Sequence, residues 1–260
     1  MSPTYSPAAI LDAMRAPARA MLATIVIAES SASTQADALA APTPTHGGAL
    51  FLAVQQTAGQ GRMGRAWLSA PADGSLAMSL SRHFQRPVTA MSGLSLVAGI
   101  AVAEALALDS IGLKWPNDLV AGGRKLGGIL VNLRAAPDGG CDAVVGIGLN
   151  LRLPTDAAID QPWTDLAQLG LPVADRNQLV AALLEQLLPA FAQFEVDGML
   201  AFVERWHRLD ALAGRAVRIH DGPRVHEGVS AGINVDGALR LREGTGERLF
   251  NSGEVSLRPA

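Results

Sequence analysis

One stretch limits the folds open to this chain more than any other. From Met91 to Leu108 run 18 residues that are apolar almost without interruption. That approaches the length that crosses a bilayer, about 20 residues. The run also carries Ser92, Ser95 and Glu104, and a carboxylate deep in lipid is costly. A helix that is apolar all round must otherwise be enclosed by protein. The sequence therefore predicts a central buried helix and no membrane span. The chain can supply the enclosing layers. Its 260 residues, 49% hydrophobic and 17% charged, suit one large domain, or a domain of roughly 200 residues with a small one beside it.

Strand and helix patterns on either side fill in those layers. Met21 to Ala28 is apolar with Thr24, Ile25, Val26 and Ile27 in a row, the pattern of a buried strand. Ser33 stands where it can cap a helix running to about Ala41. Ala49–Gln55, Ser75–Ser81, Gly112–Trp115 and Leu119–Ala121 read as strands. So do Lys125–Leu133 and Ala143–Asn150, both apolar enough to be covered on two faces. Gly122-Gly123 marks a hairpin turn. Asp175 can cap a long helix to about Asp197, kinked or broken at Pro189, and Met199 to Leu209 continues helically. After Gly214 short alternating segments are split by Gly, Asp and Asn, the signature of a small β-barrel. Strict strand–helix alternation is missing, so the expected class is α+β. A mixed or antiparallel central sheet carries flanking helices, and the small barrel follows. The expected division is a tail over 1–20, loose or briefly helical, a main domain over 21–212, and the barrel over 213–260.

Composition excludes several functions. Net charge is −3, so nucleic-acid binding would need a local basic patch. A single cysteine, Cys141, rules out a disulfide framework and any multi-cysteine metal site, and it fits a reducing cytoplasm. The first 15 residues lack the basic start and apolar core of a secretory signal.

Three segments carry chemistry. Gln56-Thr57-Ala58-Gly59-Gln60-Gly61-Arg62-Met63-Gly64-Arg65 interleaves glycines with arginines. Glycine backbones can approach an anion closely, and guanidinium groups bind phosphate oxygens in pairs. Neither a Walker loop nor a dinucleotide fingerprint fits the spacing, so the segment reads either as a phosphate loop or as a flexible surface loop. Lys114-Trp115-Pro116-Asn117-Asp118, followed by Lys125-Leu126-Gly127-Gly128-Ile129-Leu130, puts two lysines, an amide and a carboxylate on adjoining strands. Bare strand at Gly127 and Gly128 could take a flat ligand. The alternative is a hairpin with solvated lysines. Gly146-Ile147-Gly148-Leu149-Asn150 ends a strand with an amide that could read a ribose or phosphate, or simply make a turn.

Together these segments, with Ser33-Thr34-Gln35, Trp67 and Gly253-Glu254-Val255-Ser256-Leu257, resemble the biotin protein ligases in order and spacing, from about Ala28 to the C-terminus. The paired Lys-Trp-Pro-Asn-Asp and Lys-Leu-Gly-Gly-Ile-Leu segments are the most specific part. The resemblance implies ATP-dependent biotinylation of a lysine on a biotin carboxyl carrier protein of acetyl-CoA carboxylase, in the cytoplasm, with Mg²⁺ accompanying ATP. Biotin's carboxylate attacks the α-phosphate to give biotinyl-5′-AMP and pyrophosphate, and the carrier lysine then displaces AMP. By resemblance Arg62 and Lys125 are the catalytic cations. Ser33, Thr34, Gln56, Gly59, Arg62, Lys125, Gly128 and Ile129 bind biotin. Arg65, Asn117, Asp118, Asn150 and Trp163 serve the nucleotide, with Asp118 and the phosphates as the place for magnesium. Cys141 has no part, because this chemistry uses no enzyme nucleophile.

The chain departs from the family at Gln60, where arginine is usual, and at Asn132, where glutamate often stands. Its N-terminal stretch is too short for the three-helix DNA reader that some relatives carry, so neither DNA nor a membrane is an expected partner. A homodimer through sheet edges stays open. The rival readings are a lipoate–protein ligase and a non-catalytic ligand-binding protein on the same scaffold. The Gln56–Arg65 loop speaks against the first, and the presence of Arg62 and Lys125 against the second.

Overall fold

The computed structural model describes residues 5–70, 74–157, 159, 161–171, 175–244, 246–251 and the backbone of 255–259. Gly253 and Glu254 of the C-terminal motif lie outside the described residues. The elements in chain order are α1 (Pro7–Ala13), α2 (Ala16–Arg19), β1 (Leu22–Ser31), α3 (Thr34–Ala40), β2 (Gly48–Gln56), β3 (Ser75–Phe84), α4 (Leu94–Leu106), β4 (Ile111–Lys114), β5 (Asp118–Ala121), β6 (Arg124–Ala135), β7 (Cys141–Asn150), α5 (Arg176–Asp197), α6 (Val203–Leu209), β8 (Ala216–Asp221), β9 (Arg224–Ile233), β10 (Leu239–Glu243), β11 (Gly246–Phe250) and β12 (Val255–Pro259).

The first seven strands form one sheet in the order β1-β2-β3-β7-β6-β5-β4. β1 pairs parallel with β2 and the other neighbours are antiparallel. The apolar run becomes α4, with ten of its thirteen residues buried. It packs against α5 and the sheet. Each large apolar side chain enclosed there contributes about 1.5–3 kcal/mol. Among the described residues one helix, α5, is long and apolar enough to cross a membrane; half of its apolar window is buried inside the protein.

Alternation along β3 and β7 gives the sheet two different faces. Leu76, Met78 and Leu80, with Val145, Ile147 and Leu149, enter the main core beneath α4 and α5. Ala77 and Ser79 point the other way and pair across the strands with Gly148 and Gly146. Gly148 and Gly146 in turn face Gly128 and Leu130 of β6. A row of small residues thus leaves a hollow on that face, which α3 covers at one end.

Three local expectations are corrected and one is decided. Of the two readings of the N-terminal stretch, residues 5–20 take the briefly helical one, as α1 and α2. Tyr5, Ile10, Met14 and Ala18 are buried, and the two short helices, separated by extended backbone at Met14 and Arg15, both pack against α5. Arg15 and Glu185 add an ion pair at 2.9 Å. β1 is not a buried strand but a sheet edge, with Val26 44% exposed. β6 is covered only as far as Val131, and Asn132 to Ala135 are exposed. Pro189 does not break α5, which runs unbroken for 22 residues.

The C-terminal strands form a five-stranded antiparallel sheet in the order β11-β10-β9-β8-β12. It is fastened to the first unit beside the cavity. Trp115, buried, donates its indole N–H to Gly237 O at 3.1 Å. Ser92 donates to Asp236 O at 3.0 Å, and His207 Nε2 accepts from Ile233 N at 3.2 Å.

Candidate active site

The hollow in the sheet opens into a cavity of roughly 1250 Å³. Its floor is the row of small residues on β3, β7 and β6. A Cβ at Gly148 would meet the Trp67 ring at 2.5 Å, and one at Gly146 would collide with Gln35 Oε1. These two glycines are therefore required by close approach, not by backbone torsion.

At one end the groups are neutral and buried. Ser33 caps α3 by accepting from Ala36 N at 3.4 Å. Gln56 Oε1 accepts Thr34 N at 2.9 Å, and Gln56 Nε2 donates to Ser69 Oγ at 3.2 Å. Thr34, Ser79 and Gln35 are linked hydroxyl to hydroxyl to amide, each step 3.0 Å.

At the other end the groups are charged. The corner between β4 and β5 holds Asn117, whose Nδ2 donates to Ile129 O at 3.0 Å while its own carbonyl accepts Ile129 N at 2.8 Å. Asn117 Oδ1 then accepts from Arg62 Nη1 at 3.1 Å. Lys125 Nζ lies 2.7 Å from Asp118 Oδ1 and 6.0 Å from the Trp67 ring centre. Burial pulls the Arg62 guanidinium below its ordinary pKa; Asp118 opposes the shift and neighbouring Arg65 adds to it.

The loop from Gln56 to Trp67 is folded back on itself. Gly61 N donates to Arg65 O at 2.7 Å and Trp67 N to Gly59 O at 2.9 Å. Gln60 bridges Ala66, and Met63 takes a left-handed backbone with φ 56°. Its conformation sets Arg62 over the corner and leaves Arg65 at the rim.

Of the residues singled out by sequence, Ser33, Thr34, Gln56, Arg62, Arg65, Asn117, Asp118, Lys125, Gly128, Ile129, Asn150 and Trp163 line this one cavity. Gly59 is not in its wall. It is buried beneath the loop, where a Cβ would meet Gln56 Nε2 at 2.5 Å. Asn150 spends its amide N–H groups on Lys125 O and Thr164 O, leaving Oδ1 as its ligand-facing atom. Trp163 runs alongside Lys125 and is half-buried, unlike the core tryptophans Trp115 and Trp206. Asn132 lies outside the cavity wall and accepts from Gln35 Nε2 at 2.8 Å. The motif residues Gln35, Trp67 and Lys114, to which no individual role was given, also line the cavity, as do Ser79, Arg208 and Arg215, which lie in no motif. Ser79 had one legible signal, the small residues alternating with Leu76, Met78 and Leu80.

Magnesium finds little to bind here. Asp118 is already held by Lys125, and the described residues contain no cluster of three His, Cys, Asp or Glu side chains. The cavity suits a ligand with a neutral, hydrogen-bonding head and an anionic tail.

Residues 27–150 match the Biotin/lipoate A/B protein ligase family, and residues 213–258 the biotin protein ligase C-terminal domain. The bifunctional ligase/repressor BirA of Escherichia coli is 37% identical over 214 residues, covering 80% of this chain and 66% of that protein. The chain thus spans just under two thirds of the length of that relative. A biotin–[acetyl-CoA-carboxylase] ligase of Paracoccus denitrificans is 32% identical over 237 residues, 86% of this chain and 96% of the relative. The solved biotin protein ligase of Aquifex aeolicus in complex with biotin and ATP superposes with a TM-score of 0.76 at 26% identity, covering 92% and 99% of the two chains.

Proposed function

Because the chain belongs to the biotin/lipoate A/B protein ligase family, we propose that it biotinylates a lysine of a biotin carboxyl carrier protein at the expense of ATP. The observation that carries this reading is one cavity with a neutral relay at one end and Arg62 and Lys125 at the other. In the first step a carboxylate oxygen of biotin attacks the α-phosphorus of ATP, and pyrophosphate leaves. In the second the neutral ε-amine of the carrier lysine attacks the acyl carbon, and AMP leaves. Neither step needs an enzyme nucleophile, so buried Cys141 is a core residue.

The difficulty in the first step is bringing an anion onto a polyanion. Positive groups fixed at the junction relieve it. Lys125 can move from Asp118 to an incoming oxygen with little displacement, because the pair is only partly buried and the anion replaces the carboxylate as its partner. Arg62, held at the corner by Asn117, presents its remaining N–H groups to the phosphate. Ser33, Thr34 and Gln56, with the backbone of Gly128 and Ile129, hold biotin, and Gly59 shapes the loop that closes over it. Arg65, Asp118, Asn150 and Trp163 line the nucleotide side. Magnesium enters as part of the MgATP substrate, and no step is assigned to a protein-held metal. Residues 21–212 carry the chemistry in this reading, and 213–260 brace the corner through Gly237 and add Arg215 to the rim.

The enzyme works in the cytoplasm, without DNA or membrane, and a second copy would pair along the open edge of β1. The test is mass spectrometry of a carrier domain after incubation with the protein, MgATP and biotin. One biotinyl addition on the target lysine supports the reading. Addition of lipoyl but not biotinyl would place the protein with the lipoate ligases, and adenylate-free binding alone would make it a ligand-binding protein.

A further inference from the structure

The neutral end of the cavity contains a chain of protons whose direction can be worked out. Gln35 Nε2 lies 3.0 Å from Val144 O, 2.8 Å from Asn132 Oδ1 and 3.5 Å from Leu130 O. A backbone carbonyl can only accept, so the NH₂ end of the amide must face that way. Gln35 Oε1 therefore faces Ser79 and can only accept, and the single hydroxyl proton of Ser79 is spent on it at 3.0 Å. Ser79 Oγ also lies 3.0 Å from Thr34 Oγ1. With the Ser79 proton committed, the proton in that contact belongs to Thr34. Gln56 Oε1 already accepts Thr34 N, has no proton to give, and at 3.4 Å is only a longer second acceptor for the same Thr34 proton. Thr34 Oγ1 is left with lone pairs as all it can offer a ligand.

We propose that Gln35, acting through Ser79, is a positioning residue that makes Thr34 an obligate acceptor and so selects a ligand head bearing an N–H. This rests on the biotin reading and refines it, because a cyclic urea presents such an N–H and a dithiolane ring does not. Gly146 is part of the device, since a Cβ there would occupy the space of Gln35 Oε1. All three relay residues are buried: Thr34 is 3% exposed, Gln35 5% and Ser79 0%. Burial keeps water from supplying an alternative partner.

The test compares biotin with two cyclic carbamate analogues, each with one ring N–H replaced by oxygen, by calorimetry on the full chain. The native protein should bind one carbamate about tenfold or more weaker than biotin. Gln35→Met frees the Ser79 proton, so Thr34 can turn its own proton toward the ligand. Biotin should then bind about tenfold weaker and the biotin-to-carbamate ratio should fall to about twofold or less. Ser79→Ala, a smaller change whose folding is checked by thermal unfolding, should collapse the ratio in the same way. A native ratio retained in either folded variant would overturn the proposal. If the native protein binds no biotin at all, the functional reading fails first, and the inference with it.

Discussion

The two ends of the cavity solve opposite problems. At the neutral end Thr34, Gln35, Gln56 and Ser79 are at most 9% exposed, and their polar atoms satisfy one another. Buried neutral groups must do so, because each unmade hydrogen bond there costs about 1–3 kcal/mol. At the charged end Lys125 and Asp118 keep 20% and 17% of their side chains exposed, and Arg65 is open to water. Fully burying those charges would cost more than the pair returns. One end is consequently finished before a ligand arrives, while the other holds cations on partners that a ligand can replace. In the proposed function recognition falls to the first and chemistry to the second.

The largest expected effect breaks the charged end alone. Lys125→Ala should slow adenylate formation on the order of 100-fold or more, the usual effect of losing one such electrostatic contact. Transfer from preformed biotinyl-AMP should suffer less, since carboxylate and triphosphate no longer have to be forced together. Rapid-quench measurement of the two half-reactions checks this, and equal losses in both would erase the proposed division of labour.

Arg62→Gly should come next. A charge-assisted bond is worth about 1.5–3 kcal/mol, so biotinyl-AMP should escape roughly 10- to 150-fold faster. Gln60 can hydrogen-bond but brings no second charge to the loop. The readouts are adenylate dissociation and stray biotin on an unrelated lysine-rich protein. A variant that holds the adenylate as long as the native enzyme would remove Arg62 from the account.

Smaller effects probe the neutral end and the surface. Ser33→Ala removes the cap of α3, the helix that carries Thr34 and Gln35. It should lower stability by about 1 kcal/mol and the melting temperature by about 2–4 °C. An unchanged melting temperature would mean that the helix is held by its packing alone. The smallest signal is expected with DNA. The cavity's cations line a hollow rather than a groove-sized surface, and footprinting at physiological salt should detect no specific protection.

Each end was legible in part. Arg62, Asn117, Asp118 and Lys125 sit in contiguous strings, which by themselves also fit a flexible loop and a hairpin with solvated lysines, and Ser33, Thr34 and Gln56 stood out by resemblance. The relay depends instead on register. Ser79 reaches Gln35 because β3 sets Ser79 against Gly146, a fact of strand pairing that no local string encodes. Edge and centre of the sheet were indistinct for the same reason. β1 is as apolar and β-branched as a central strand, yet its place in the strand order leaves it at the margin. The buried set of Ile10, Met14 and Ala18 was hidden among prolines and alanines, because it is split between two short helices and only their fit against α5 reveals it. Arg208 and Arg215 reach the rim from a helix end and a strand start that carry no motif.

The division between the two ends is tested most directly by salt. Biotin carboxamide keeps the ring but has no charge, whereas MgATP engages the cations. Their dissociation constants should be measured on the native chain from low to high ionic strength, roughly 0.05 to 0.5 M, over which screening shortens several-fold. The carboxamide should bind with an affinity constant to within about twofold, while MgATP should weaken by about tenfold or more. Equal salt dependence for the two ligands would contradict the account, because recognition and charge neutralisation would then share the same groups.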